Sequence, residues 1–173
     1  MNGSTEATIG SQCRTRLASE ADVPAITRIY NQAVAERIAT CDLSDIPEDK
    51  RAAWLRGHTY PHGVWVAEDD HGVIGWVALS PYDSKPCFHR TASFATYVDR
   101  RARGQGVGKV LRTLMIDEAR ARGLHALVNR VWANNAASIG LARHFGFREV
   151  GHFADLVEQD GHYIDCLFFQ LLL

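Results

Sequence analysis

The chain has 173 residues, 46% of them apolar and 23% charged, with 19 basic against 20 acidic side chains and a net charge of −1. That is enough chain for one domain with a sizeable core. The balanced charge gives no electrostatic case for nucleic-acid or membrane-surface binding, and no apolar run approaches the length of a membrane span.

Residues 1–13 are polar, lack the apolar core of a secretory signal, and read as a flexible tail ahead of a single domain over 14–173. A cytoplasmic location follows as the expectation, with Cys13, Cys41, Cys87 and Cys166 reduced. No CxxC pair and no HExxH spacing occurs, so no metal site is read. Residues 14–17 read as a first strand. Ser19 can cap a helix whose first turn holds Glu20 and Asp22 and tolerates Pro24; Val23, Ile26, Ile29, Tyr30, Ala33 and Val34 give it an apolar stripe. A loop over 40–47 leads to a second helix that ends near Gly57. Strands over 64–68 and 73–80 flank a hairpin turn at Asp69-Asp70-His71-Gly72. Residues 81–86 form a loop, and 91–98 a further strand. A third helix ends near Gly123. A strand over 125–131, a short helix from Asn134 to Phe145-Gly146, and strands over 148–153 and 164–171 complete the chain. The order β-α-α-β-β-β-α-β-α-β-β predicts an α/β fold, a mixed sheet with helices packed on it.

Between the fourth strand and the third helix stands Arg103-Gly104-Gln105-Gly106-Val107-Gly108. Strand, glycine-rich turn and helix start build a cradle of backbone N–H groups at the positive end of a helix, where phosphate binds. Arg100, Arg101, Arg103 and Lys109 suit a polyanion. A Walker A loop is excluded: Arg103 stands where its first glycine belongs, and Val110 where the magnesium-binding hydroxyl belongs. The Gly104-x-Gly106-x-Gly108 spacing, past mid-chain, is not a dinucleotide fingerprint either.

Arg103, Gly106 and Gly108 match the Gln/Arg-x-x-Gly-x-Gly/Ala loop of the GNAT superfamily of N-acetyltransferases, which the chain resembles over about residues 14–173. Within it the chain is similar to the phosphinothricin and methionine-sulfoximine acetyltransferases. The matching features are Ile29-Tyr30-Asn31, Tyr97-Val98, Asn134-Asn135-Ala136-Ala137-Ser138, Gly146-Phe147-Arg148-Glu149-Val150-Gly151-His152 and Asp165. The resemblance implies the GNAT fold, a central, mostly antiparallel mixed sheet flanked by helices, and acetyl-CoA as acyl donor. It implies pyrophosphate on the amides of Arg103, Gly104, Gln105, Gly106, Val107, Gly108 and Lys109. The thioester carbonyl would lie on the backbone of Thr96, Tyr97 and Val98, where the strand must splay from its neighbour to admit the pantetheine. Asn135 and Ser138 would touch the pantetheine arm or serve the helix start, a role Asn134 is equally able to fill.

Two positions depart from the family. Its glutamate base falls at Ser93, whose hydroxyl is no base near neutral pH unless activated. The Tyr or His that serves as its acid falls at Ala142. His89, His162 and Tyr163 are the candidate replacements, beside Asp165. Tyr30, Asn31, Ser93, Phe94 and Ala95 are placed at the acceptor. Trp76, Leu79, Pro81, Tyr82 and Phe94 form either its aromatic wall or core, and Arg90 is a candidate for a substrate carboxylate. The expected activity is acetyl transfer to a small-molecule amine, an amino acid or analogue. The rivals are a polyamine, antibiotic or protein N-terminus as acceptor, and an acetyl-CoA sensor with weak or absent catalysis. Phe168, Phe169 and the terminal leucines supply either core or a homodimer contact.

Overall fold

The computed structural model describes residues 13–173; all but the last residue of the expected tail lies outside the described residues. Seven strands form one sheet: β1 Arg14–Leu17, β2 Gly63–Asp69, β3 Gly72–Pro81, β4 Thr91–Val98, β5 Ala126–Trp132, β6 Arg148–Gln159 and β7 His162–Leu172. Their spatial order is β1-β2-β3-β4-β5-β7-β6. Every pairing is antiparallel except β4 with β5. Four helices cover the sheet, α1 Val23–Glu36, α2 Glu48–Arg56, α3 Val107–Ala121 and α4 Ala136–His144. Element order and type are those predicted.

The stripe on α1 does what its spacing demands: Ile26 and Ile29 pack on Val64, Val66 and Trp76. The opposite face of the sheet takes Leu111, Met115 and Ala119 of α3, against Val77, Phe94, Leu127 and Phe169. Because helices lie on both faces, β3 buries successive residues, Trp76 and Ala78 one way, Val77 and Leu79 the other, and reads as an unbroken apolar run. Phe169 is wholly buried and therefore core, whereas Leu172 is exposed. Among the described residues no helix is long and apolar enough to cross a membrane.

Several strands run a residue or two past their expected ends, and β6 departs most. β6 runs on to Gln159, with its register against β7 broken between Phe153 and Val157. Asp155 sits in this break at φ 51°. The bulge hides the alternation that would have extended the reading. Asp160 and Gly161, at φ 52° and 78°, then close the hairpin.

Arg112 is an oddity of the core. It is 2% exposed, its Nε and Nη1 have no hydrogen-bond partner among the described residues, and its guanidinium lies 4.4 Å from the Phe94 ring centroid. Burial pushes its pKa down to about 10, so it stays charged at neutral pH against a desolvation penalty that the aromatic face offsets only in part. Arg112→Met keeps the volume and removes the charge. It is expected to stabilise the fold by about 1–3 kcal/mol, read as a rise of several degrees in the thermal midpoint. A fall in the midpoint would mean that the guanidinium holds Phe94 and Phe147 in place.

Candidate active site

β4 and β5 pair only at Thr91–Ala126, Ala92–Leu127 and Ser93–Val128. Beyond that point each strand keeps its outer neighbour: Ala95 and Tyr97 pair with Ala78 and Trp76 of β3, while 128–132 continue on β7. The strands therefore part into a wedge whose facing backbone edges pair with nothing in the sheet. A cleft of about 720 Å³ occupies it, lined by 94–97, 128–132 and the loop 38–42. Buried backbone N–H and C=O groups demand partners, and a wedge of this kind takes an extended, amide-bearing chain as an added strand. Beside it the Thr96 hydroxyl is buried and without a partner among the described residues.

The open end of the wedge meets the glycine-rich turn. Gly104 and Gly106 have φ of 74° and 87°, and Gly106 is the N-cap of α3. Among the described residues, the amides from Gly104 to Gly108 meet no backbone acceptor. They stand at the positive end of a fifteen-residue helix, as an anion site requires. The neighbouring cations are less free than expected. Arg100 and Arg103 both bind Glu36 of α1, at 2.5 and 2.9 Å; Arg101 lies 3.6 Å from Asp69. Burial pushes the Glu36 carboxyl up, but the hydrogen bonds from Arg100 and Arg103 outweigh it and hold the group below its usual range. Lys109 is exposed on the first turn of α3.

The family model described as "Acetyltransferase (GNAT) family" matches residues 26–147. The chain belongs to the GNAT acetyltransferase family. An L-methionine sulfoximine/L-methionine sulfone acetyltransferase of Pseudomonas aeruginosa is 35% identical over 162 residues, 91% of this chain and 93% of that protein. The structure of a ribosomal-protein-alanine N-acetyltransferase from Brucella melitensis superposes with a TM-score of 0.89 at 35% identity, covering 92% and 99% of the two chains. A phosphinothricin acetyltransferase from Sinorhizobium meliloti, solved in complex with acetyl-CoA, gives a TM-score of 0.86 at 27% identity, covering 93% and 88%. The wedge, the orphaned Thr96 hydroxyl and the free amides fit the same donor in this GNAT chain.

The residues placed at the cofactor separate into two kinds. Thr96 and Tyr97 line the wedge, as do Asn135 and Ser138. Asn135, not Asn134, caps α4: its Oδ1 accepts from the Ser138 amide at 3.0 Å, and its Nδ2 donates to the Ile38 carbonyl at 3.1 Å. It thus ties α4 to the loop that roofs the cleft, and a role at the pantetheine would come on top of that work. Gly108 faces Leu141 of α4, so its lack of a side chain serves helix packing as well.

Several acceptor-side expectations are corrected. Ala142 is wholly buried in the core and carries no proton chemistry. His89 is exposed and bonds the Pro86 carbonyl. His162 and Tyr163 begin β7 at the hairpin turn, with Tyr163 64% exposed, and neither lines the cleft. Asp165 bonds His152 at 2.6 Å and the Asp155 amide at 3.0 Å, steadying the bulge of β6. Asn31 bonds both the amide and carbonyl of Ile46 and braces the loop before α2. Phe94 turns its ring to the Arg112 side of the sheet and offers the cleft only its backbone. Leu79 is core, Trp76 is both core and a wall of the cavity beside Arg51, Tyr82 lines the cleft, and Arg90 donates to Gly123 away from it.

Tyr30 lines the cleft. Its hydroxyl bonds Thr40 at 2.6 Å and donates to Asp42, and its ring meets Tyr97 edge-on. Burial pushes its pKa up, so it stays a donor. Behind it lies a second cavity of about 370 Å³ that adjoins the cleft and shares Tyr30, Asp42, Ser80, Ala95 and Tyr97 with it as lining. This cavity is lined by Lys50 and Arg51, which sequence reasoning missed. Arg51 is 6% exposed, its guanidinium 4.1, 4.7 and 5.7 Å from the ring centroids of Tyr30, Trp54 and Trp76. Its Nε has no hydrogen-bond partner among the described residues. Burial lowers its pKa. The available signal was a cation three residues before Trp54, on the face where α2 meets the sheet.

Proposed function

We propose that the chain transfers the acetyl group of acetyl-CoA to the primary amine of a small amino acid or analogue, in the class of methionine sulfoximine and phosphinothricin, by direct attack within a ternary complex. The observation that carries the reading is Arg51, a buried guanidinium in an aromatic cage with donors to spare, at the closed side of the wedge where an acceptor carboxylate would sit. A charge-assisted, bidentate contact is what this side chain is built to make. Lys50 adds a second cation, and Asp42 an anion on the side nearer the cleft, which suits a substrate carrying both a carboxylate and an amine. The names of the P. aeruginosa and S. meliloti relatives point the same way.

Acetyl-CoA supplies the thioester. The chain's own residues then have three tasks. The amides from Gly104 to Gly108 hold the pyrophosphate. The free β4 edge at Phe94, Thr96 and Val98 orients the arm, with the Val98 amide polarising the carbonyl. Arg51 and Lys50 fix the acceptor so that its amine faces that carbonyl. Thioester aminolysis needs chiefly such proximity and a neutral amine, which makes the missing family glutamate tolerable. Ser93 and Ala142, neither of them a titrating group at neutral pH, favour an acetyl-CoA sensor as the second reading.

A thiol-release assay decides between the two. The acceptor panel should hold methionine sulfoximine, phosphinothricin, common amino acids, a polyamine, an aminoglycoside and a peptide N-terminus. Release is expected with the carboxylate-bearing small amines, at kcat/KM values about 10²-fold above those for amines lacking a carboxylate, the worth of one charge-assisted contact. Tight acetyl-CoA binding with no acceptor-dependent release would sink the enzyme reading in favour of the sensor.

A further inference from the structure

Ser93, at the family's glutamate position, sits at the apex of the wedge, and its direct cross-strand partner on β3 is Ser80. Side chains of directly paired residues share a face of the sheet. Ser80 lines both the cleft and the acceptor cavity. Its hydroxyl lies 2.9 Å from Nε2 of His58, just after α2. The other ring nitrogen of His58 lies 2.8 Å from the Trp54 carbonyl. A carbonyl only accepts, so Nδ1 carries the proton and Nε2 is left with its lone pair toward Ser80, whose O–H must donate to it. The tautomer is thus fixed by the fold, and the ring is clamped against Trp54 at 4.3 Å between centroids. A hydroxyl pointing into the acceptor site and hydrogen-bonded to an unprotonated imidazole is the activated arrangement that Ser93 alone lacks.

We propose that Ser80 and His58 form a proton relay that takes the place of the glutamate missing at Ser93. The inference rests on the acetyltransferase reading above. As the C–N bond forms, the amine nitrogen becomes acidic. It passes one proton to Ser80 Oγ while the Ser80 proton moves to His58 Nε2, leaving Ser80 neutral and His58 singly charged. The C–S bond breaks, the sulfur takes a proton from solvent, and His58 gives its own back, so that amide and free thiol are the net products.

The surroundings suit this acceptor. From α2, His58 is faced by Trp54 and by Arg51; from the loop before β2, by His62; from β3, by the Ser80 hydroxyl. Burial lowers its pKa, the Trp54 carbonyl opposes this, and the Arg51 charge lowers it further. It is therefore neutral and ready to accept at pH 7. The Ser80 hydroxyl keeps the ring one step back from the acceptor site.

The test combines imidazole NMR of the parent protein with pH–rate profiles of the parent, Ser80→Ala and His58→Gln. The glutamine can still accept from Ser80, so it preserves the packing without taking a proton. NMR should show His58 as the Nδ1–H tautomer, titrating below an ordinary histidine. With methionine sulfoximine or another accepted amine, kcat should fall about 10²-fold or more in both variants, with acetyl-CoA affinity and thermal midpoint held. In the parent, log(kcat/KM) should steepen below the His58 pKa, beyond the slope due to the amine's own titration; in both variants that second break should vanish. An Nε2–H tautomer, or variants that keep the break and a kcat within a few-fold of the parent, would overturn the relay while leaving the acetyltransferase reading intact. A parent that binds acetyl-CoA but acetylates no amine would overturn both.

Discussion

Arg51→Met is expected to lower kcat/KM for a carboxylate-bearing acceptor by about 10²-fold, almost wholly through KM. A hydrogen bond to a charged group contributes about 1.5–3 kcal/mol, roughly 10- to 150-fold in affinity. The arginine fixes a part of the substrate that does not change during the reaction, so the contact is equal in ground and transition states and its loss falls on KM. Methionine is unbranched and fills the same slot between Tyr30, Trp54 and Trp76. It also removes a buried cation whose Nε lacks a partner, so the fold should not weaken. The specific signature is selectivity: an amine acceptor without a carboxylate should react as well with the variant as with the parent. An equal loss for both kinds of acceptor would show that Arg51 shapes the aromatic cage and binds no substrate.

Why Arg51 escaped the sequence reading, while the glycine turn did not, has a physical basis. The turn is local: the six residues from Arg103 to Gly108, where the chain enters α3, carry the whole signal, and the φ of 74° and 87° at Gly104 and Gly106 is what glycine is there to supply. The α1 stripe and the Asp69 to Gly72 hairpin are local in the same way. The Arg51 cage draws one ring each from α1, α2 and β3, so no window of the sequence contains it. Glu36 claims Arg100 and Arg103 from more than sixty residues away, and the cluster of cations looks freer in one dimension than it is in three. The choice between Asn134 and Asn135 turned on which side chain reaches the Ser138 amide, a matter of one residue's backbone angles. The parting of β4 and β5 was expected only through the family resemblance, because residues 91–98 read as one uninterrupted strand. The Ser80–His58 pair needs both the β3–β4 register and the placement of α2, and neither is written in periodicity.

Gly106→Val is expected to cost about 10²-fold or more in acetyl-CoA affinity, with a smaller loss of stability. Gly106 caps α3 at φ 87°, and a Cβ built there meets no protein atom within 4 Å. The substitution therefore creates no clash within the protein. What it brings is a left-handed conformation on a β-branched residue, worth about 1–2 kcal/mol of strain, and a methyl-bearing carbon in the open space that the free amides face. If the backbone relaxes to negative φ, the amides around 106 turn away from the anion, and each charge-assisted bond lost is worth about 1.5–3 kcal/mol; if it does not, the side chain obstructs the phosphate directly. Either course weakens the donor site, and the strain alone should lower the thermal midpoint by about 2–8 °C in a chain of this size. Gly161→Val separates the two effects. Gly161 has φ 78° and equally open space around it, but it lies in the β6–β7 turn, away from the wedge. It should show the same loss of midpoint with acetyl-CoA binding unchanged by calorimetry. If Gly106→Val binds acetyl-CoA as the parent does, the turn is not the phosphate cradle. If the two variants lose affinity equally, the loss comes from the fold and not from the amides.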